Sequence, residues 1–387
     1  MNRFRILKIR LIKLCMAFIH VVFKQTWNKV VFVSFSGVSY SDNPKAISMA
    51  FARIFPDIQQ VWIFENPAGK QSIVPKQVML RKKSHLLFEL ATSSAWVFND
   101  TLPAWVYKGK KQFYVQTWHG DRGFKKILYD YSSRKGKLPL VEESLCDLAV
   151  AGSDFGEAFF RTAFRYRGEV LKTGCPRNDV LVSCDNNLVS ITKNHLGLEE
   201  KVRYVLYAPT LRRKTGKDRE RQPVQTIDFM STLNTLMAIF GGDWKFLVRS
   251  HVKVPGLHGV PESERIIDVS SVDDMAELLL VSDILITDYS SSTGDFALTH
   301  RPVILFQDDQ DTYRTKERTF YFNISESPFW VVTTQEELIS LIESLPGLDY
   351  SANCDAILQF YGTKETGHAS EDVAMRVYGF CEKVHDG

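Results

Sequence analysis

Four short stretches carry residue types suited to handling phosphate and protons. In SDILITDYSSSTGDFAL (282–298), Asp288 and Tyr289 follow an apolar run and lead into Ser290, Ser291, Ser292, Thr293 and Gly294. Small residues let backbone N–H groups close on an anion, and hydroxyls add donors. A helix starting there turns its positive end to the same place. The stretch suits a phosphate or pyrophosphate; a Ser-rich helix cap without ligand is the other reading. In VQTWHGDRGFKK (115–126), an apolar run ends in Trp118, His119 and Gly120, with Lys125 and Lys126 beyond. A histidine beside glycine at a strand's carboxyl end is placed to act as a general base; a structural histidine is the alternative. In KFLVRSH (245–251), Arg249 and His251 stand two apart, so both point one way if the strand continues. Such a pair can hold a diphosphate or join a surface ion pair. In KTGCPRND (172–179), Gly174 and Pro176 make a turn, and Arg177, Asn178 and Asp179 add polar groups. A turn followed by a helix cap explains it as well.

The elements that position these stretches alternate in type. Val30–Phe35, Val61–Phe64, Ala95–Phe98, Phe113–Thr117, Asp147–Gly152 and Val170–Thr173 read as strands, with helical stretches between several of them. Asp42-Asn43-Pro44 reads as a helix start, with a side-chain cap and proline in the first turn. After the polar stretch Ser183–Asn187 comes a second set of strands: Tyr204–Ala208, Lys245–Val248, Arg265–Val269, Ile284–Thr287 and Val303–Phe306. Helices fit at Ile227–Ile239, Asp273–Leu280, Thr293–Thr299, Gln335–Leu345 and Ser370–His385. Strands alternating with helices indicate parallel α/β architecture. Two sets of similar size predict two doubly wound lobes with a cleft between them. The expected segments are a basic one at 1–28, an N-terminal lobe at 29–185 and a C-terminal lobe at 186–387. The terminal helix is free to pack back on the first lobe.

A chain of 387 residues, 44% hydrophobic and 24% charged, is an ordinary globular protein rather than a disordered chain, a coiled-coil rod or a disulfide scaffold. A net charge of +3 makes no global case for nucleic-acid binding. Six scattered cysteines form no CxxC, no histidine pair has zinc-ligand spacing, and reduced cytosolic thiols are expected. No metal site is expected.

The charge is unevenly placed. No acidic residue precedes Asp42, whereas Arg3, Arg5, Lys8, Arg10, Lys13 and Lys24 fall within the first 24 positions. The stretch from Leu14 to Phe23, the longest there without Lys or Arg, is far short of the roughly 20 apolar residues a spanning helix needs. No small-residue cleavage site follows. Residues 3–23 therefore suit a helix lying in an anionic membrane surface, or one packed on the body with snorkelling lysines. A second basic run, RRKTGKDRER (212–221), begins with Arg212 directly after a predicted strand end. That is where ligand sites of α/β sheets form, although most such runs are solvated loops.

Taken together these pieces resemble the CDP-glycerol glycerophosphotransferase family of teichoic-acid and capsule enzymes. Tyr40 to Ala46, Trp118-His119-Gly120 with Lys125-Lys126, and Gly174 to Asp179 occur in the family's order. Tyr207 to Thr210 with Arg212, Arg249 with His251, and Ser282-Asp283 through Thr287 to Ser291 follow. Asp309 with Tyr313, and Gly367 with Ala369-Ser370, complete the set over about residues 30–380. The resemblance implies a two-lobed GT-B fold on the inner face of the plasma membrane. It also implies transfer of a polyol-phosphate from CDP-glycerol or CDP-ribitol to a lipid-linked or polymer hydroxyl, with release of CMP. It makes His119 the base and places His251, the second catalytic histidine, near the donor phosphates, where it would stabilise charge on the phosphoryl oxygens and leaving group. It assigns Asp288 and Ser290–Ser292 to the pyrophosphate, with Arg249 and Arg212 as further donor-binding cations. Trp118, Gly120, Lys125, Lys126, Arg177, Asn178 and Asp179 fall on the acceptor side or support it. No cofactor is implied, and magnesium on the diphosphate stays open. The chain departs from the family at Asp121-Arg122-Gly123, where Thr-Pro is usual, and at Ser250-His251-Val252, where Leu-His-Pro is common. Two other functions are compatible with the same residues: a GT-B sugar transferase using a nucleotide-sugar, and a non-catalytic anion-binding protein at the membrane.

Overall fold

Runs of β-branched and aromatic residues become the strands of two parallel sheets in the structure, a computed structural model that describes residues 3–131, 140–210, 227–250, 260–310, 313 and 319–386. The first sheet contains β1 (Thr26–Val33), β2 (Gln59–Phe64), β3 (Met79–Lys82), β4 (Ser93–Phe98), β5 (Phe113–Gln116), β6 (Leu148–Val150) and β7 (Glu169–Leu171). Its order is β3-β2-β1-β4-β5-β6-β7, parallel throughout. The second contains β8 (Arg203–Tyr207), β9 (Trp244–Val248), β10 (Ile266–Asp268), β11 (Ile284–Thr287), β12 (Val303–Phe306) and β13 (Trp330–Val332). Its order is β10-β9-β8-β11-β12-β13, again parallel. In each sheet the winding reverses once, between β1 and β4 and between β8 and β11. The carboxyl ends of strands at such a reversal are where doubly wound sheets hold ligands.

The strands are apolar on both faces because both are covered. Side chains alternate along β1. Val30 and Phe32 join Trp62, Phe64, Ala95 and Val97 on one face. Helix α2 (Asp42–Ile54) covers that face with Ile47 and Phe51, and the C-terminal helix Ala369–Asp386 does so with Val373, Ala374, Val377 and Cys381. Val31 and Val33 join Val61, Ile63, Trp96 and Phe98 on the other. Helices α1 (Arg3–Val22) and α3 (Leu86–Thr92) cover it with Met16, Leu86, Leu90 and Ala91. In the second sheet, Val205, Phe246, Ile286 and Ile304 pack under helices Phe229–Phe240 and Gln335–Ser344.

The chain divides into two units. Unit 1 holds residues 1–121, 127–179 and 364–387; unit 2 holds 122–126 and 180–363. Helix α1 is apolar on two sides. Met16 is buried, Ile19 packs on the same core, and the His20 ring meets the Ala91 carbonyl at 2.8 Å. On the opposite side Phe4, Leu7, Leu11, Leu14, Phe18 and Val21 recur every three or four residues and are 61–80% exposed.

Candidate active site

His119 sits just beyond β5, beside the end of β4. The register aligning Phe98 with Gln116 brings the next residues of both strands together. The His119 Nδ1 lies 2.7 Å from the Asn99 carbonyl oxygen. A carbonyl can only accept, so Nδ1 carries the proton and Nε2 of the neutral ring keeps its lone pair. The ring packs against Phe35 and Trp118, with centroids 5.1 and 4.2 Å away, and stays about 30% exposed. Asp100 Oδ1 stands 3.6 Å from Nδ1, and the Ser36 hydroxyl donates to Asp100 Oδ2 at 3.0 Å. Asn99 also ties the end of β1: its Oδ1 accepts from the Phe35 N–H at 2.8 Å and its Nδ2 donates to Ser34 Oγ at 3.2 Å. Trp118 has a φ of +51°, in the left-handed region that non-glycine residues seldom adopt. Its N–H donates to Gln116 Oε1 at 2.8 Å, and its carbonyl accepts from Asn43 Nδ2 at 2.9 Å. Gly120 follows in the loop that leads to Asp121.

Asn43, fully buried at the start of α2, joins two of the sequence motifs. Its amide nitrogen holds the Trp118 carbonyl, and its Oδ1 accepts from the Arg177 N–H at 3.1 Å. The Arg177 guanidinium lies 3.7 Å from Asp42 Oδ1, with both side chains mostly buried. Asn178 Nδ2 donates to Glu365 Oε1 at 2.9 Å, while the Cys175 N–H reaches Glu365 Oε2 at 2.8 Å. The Asp179 oxygens accept from the N–H groups of Ala369 and Ser370 at 3.0 and 2.8 Å, capping the C-terminal helix. Burial raises the Asp179 carboxyl above its ordinary range, against the pull of those bonds. The three polar residues of this motif thus brace the framework of unit 1.

In unit 2, Asp288 follows β11 and is buried. Its two oxygens accept the Thr210 N–H at 2.9 and 3.0 Å, and Oδ1 also accepts the Tyr289 N–H. The carboxylate therefore fixes the loop after β8 to the loop after β11. Ser290 Oγ accepts from the Ser292 hydroxyl at 2.9 Å, and Ser291 occupies the N-cap position of the short helix Ser292–Phe296. Ser290 and Ser291 stay partly exposed. Arg249 follows β9, its Nη2 3.3 Å from the Asp273 carbonyl and its Nη1 beside Met275 Sδ. Burial lowers its pKa from the ordinary arginine value, opposed by Asp274, Asp273 and Glu277. Lys125 and Lys126, expected with the acceptor-side lobe, belong to unit 2. Lys125 lies over the Tyr313 ring at 5.2 Å, and the Lys126 N–H donates to the Thr319 carbonyl at 2.9 Å. Tyr313 stacks on Tyr289 with centroids 3.8 Å apart. His251 and Arg212 lie outside the described residues.

Asp121 and Arg122, which stand after His119-Gly120 where the resemblance has Thr-Pro, are both engaged in the structure. Asp121 accepts from the Gly152 N–H at 2.9 Å and from the Ser153 hydroxyl at 2.5 Å. Arg122 is fully buried and donates to Asp295 Oδ1 at 2.8 Å. Gly294 leaves room for it, since a Cβ there would come within 2.7 Å of Arg122 Cδ. Sequence reasoning passed over Asn99 and Asp100. Their signal is a polar pair ending a buried strand run, next in space to another such end. Among the described residues, no group of three or more His, Cys, Asp or Glu side chains could hold a metal ion. Nor is any helix there long and apolar enough to cross a membrane.

Comparison with known proteins adds relatives along most of the chain. A family described as CDP-glycerol:poly(glycerophosphate) glycerophosphotransferase matches residues 15–379. The teichoic acid poly(glycerol phosphate) polymerase of Bacillus subtilis (strain 168) is 31% identical over 368 residues, covering 90% of this chain and 48% of its own. The chain spans about half the length of the first curated relatives it matches. The teichoic acid glycerol-phosphate transferase of Staphylococcus aureus (strain NCTC 8325 / PS 47) is 31% identical over 375 residues, covering 91% of this chain and 93% of its own. A structure of the wall teichoic acid polymerase TagF, a histidine-to-asparagine variant soaked with CDPG, superposes with a TM-score of 0.80 at 28% identity. It covers 96% of this chain and 94% of that one. The fold is accordingly GT-B-like, as the resemblance implied.

Proposed function

Because the chain belongs to the CDP-glycerol:poly(glycerophosphate) glycerophosphotransferase family, we propose that it moves a glycerol-phosphate, or a related polyol-phosphate, from a CDP-polyol to a hydroxyl of a lipid-linked or polymer acceptor in teichoic-acid or capsule synthesis. His119 Nε2 takes the proton of the acceptor hydroxyl. The oxygen attacks the phosphorus that bears the polyol, the bond from that phosphorus to the bridging oxygen breaks, and CMP leaves with that oxygen. Direct in-line attack needs no covalent enzyme intermediate. The donor diphosphate is held in unit 2 by the hydroxyls and amides of Ser290–Ser292 together with Arg249, His251 and Arg212. Such donors stabilise the charge that builds on the phosphoryl oxygens. Asp288 serves by fixing the loops that carry them. The observation that carries this reading is the Nδ1 contact to the Asn99 carbonyl, which leaves Nε2 unprotonated on an accessible ring.

The test is turnover. Purified protein is incubated with labelled CDP-glycerol, CDP-ribitol or a nucleotide-sugar and a lipid-linked acceptor. CMP release with a CDP-polyol is expected; a nucleoside diphosphate from a nucleotide-sugar indicates a sugar transferase instead. His119→Ala should lower turnover by roughly 100-fold or more, the usual scale for a positioned acid–base group, and leave donor binding nearly unchanged. A protein that binds CDP-polyol without turning it over would fit the non-catalytic alternative.

The exposed row of α1 supports a place on the anionic inner face of the plasma membrane. Six apolar side chains point outward there, on a helix that carries Arg3, Arg5, Lys8, Arg10 and Lys13. A helix of that kind lies in the interface plane and draws on both burial and charge. It would hold the enzyme where a lipid-linked acceptor is presented.

A further inference from the structure

We propose that Asp100 is a positioning residue for the proton transfer at His119, stabilising the imidazolium that forms as the acceptor hydroxyl loses its proton. The inference rests on His119 being the base. A base that accepts a proton becomes a cation, and a fixed carboxylate beside it favours that charged form. Asp100 Oδ1 is 3.6 Å from His119 Nδ1. That is too long for a hydrogen bond but close for a charge interaction. The hydrogen bond itself goes to the Asn99 carbonyl at 2.7 Å. The two partners divide the work: the carbonyl sets the tautomer and the ring plane, while the carboxylate supplies charge. The same division of roles would be lost if the carboxylate could swing away.

It is held in place. The Ser36 hydroxyl donates to Asp100 Oδ2 at 3.0 Å, leaving Oδ1 on the histidine side. Gln116 Nε2 donates to the Asp100 carbonyl at 3.0 Å. Gln116 Oε1 in turn accepts from the Trp118 N–H, one residue before the base. Phe35 and Ser36, in the turn after β1, both have positive φ, 44° and 58°, an uncommon backbone. Among the described residues, Asp100 is the charged group within ion-pair distance of the His119 ring. The other elements against the ring contribute Phe35 and Trp118, which are uncharged.

The test compares wild type, Asp100→Asn, Ser36→Ala and His119→Asn in turnover of CDP-glycerol on a lipid-linked acceptor, across pH 5 to 9. Asn keeps the shape of Asp100 and can still accept from Ser36, so folding is expected to be retained; the thermal transition checks this. D100N should lower kcat about 10-fold, within the range of acid–base effects, and move the acid limb of the kcat/KM profile to lower pH. The KM for CDP-glycerol should hold. S36A should give a smaller change in the same direction, because the carboxylate remains but is less well aimed. A merely structural Asp100 would lower kcat without moving the acid limb, and that result overturns the proposal. If H119N turns over normally, the base assignment itself fails and the partner role falls with it. Loss of activity in H119N with an unmoved limb in D100N removes Asp100 alone.

Discussion

Replacing Leu11 and Phe18 together by serine tests the exposed apolar face of α1, proposed to meet the membrane, apart from its packed face. The two side chains are 61% and 67% exposed, on the side of the helix opposite Met16 and Ile19. Full burial of such a side chain is worth about 2 kcal/mol. With roughly two-thirds of each surface still available to bury, each contributes about 1.3 kcal/mol at a membrane, and the pair about 2.6 kcal/mol. That corresponds to a loss of close to 100-fold in vesicle affinity. The cations are untouched, so attraction to anionic lipid at low salt should persist. The deficit should grow plain near 0.5 M salt, where the Debye length is only several ångströms and burial has to carry the binding. The assay is co-sedimentation with vesicles of zwitterionic lipid, with and without about a third anionic lipid, across a salt series. Thermal unfolding of the variant should match wild type within about 0.5 kcal/mol, since neither side chain enters the core. A double variant that sediments like wild type at high salt would refute the assignment of this row as the membrane face.

Asp179→Ala removes the cap of the C-terminal helix and should cost about 1–2 kcal/mol, seen as a fall of a few degrees in melting temperature, with turnover at 25 °C unchanged; normal melting with lost turnover would make it an acceptor ligand instead. Burial raises the folded-state pKa of Asp179, so the folded protein binds this proton more tightly than the unfolded chain, and its contribution to stability falls as pH rises from about 3.9 through the folded value. Asp179→Asn abolishes that slope, so its stability relative to wild type in urea titrations should improve with rising pH. Cys354 and Cys381 are buried, their thiols pushed up to about 12, whereas Cys15 is exposed. Alkylation of the native protein at pH 8 should reach Cys15 first and the other two only after unfolding, read by peptide mass spectrometry; rapid native labelling of Cys381 would contradict the packing of the C-terminal helix.

The central strands were legible because buried parallel strands are short apolar runs, and Val30–Val33, Ala95–Phe98 and Ile284–Thr287 have little else to be. Of the four edge strands, β7 and β10 were read as Val170–Thr173 and Arg265–Val269, but β3 and β13 were not. Met79–Lys82 carries Arg81 and Lys82 at the rim of its sheet, and Trp330–Val332 is three residues long. Helix Tyr350–Tyr361 was missed since only Cys354, Ile357 and Tyr361 of its residues are buried, a weak stripe. The start of α2 at Asp42 was readable, but its chemistry differs. Ser41 makes no side-chain cap, and Asp42, at a φ of +64°, accepts from the neighbouring Asn43 N–H at 2.6 Å. The site shows the same divide. His119 and Ser290–Ser292 announce themselves by residue type at strand ends. The structural tasks of Asp288, Asn178 and Asp179 depend on partners 78 to 191 positions away, which no local pattern contains.

Unit 1 is sewn from three lengths of chain, and its last length, residues 364–387, comes after all of unit 2. Val373, Ala374, Val377 and Cys381 belong to the same core as Val30 and Phe32. During synthesis at about 5–20 residues per second, the half that carries His119 must therefore wait, with one face of its sheet covered by α2 but not yet by the last helix, while residues 180–363 emerge. Unit 2 has its own sheet complete by then. The half that carries His119 thus matures last, so a ribosome stalled before Ala369 leaves a nascent chain with a finished sheet in unit 2 and an open core in unit 1. Such a chain exposes apolar surface for chaperones and proteases to find.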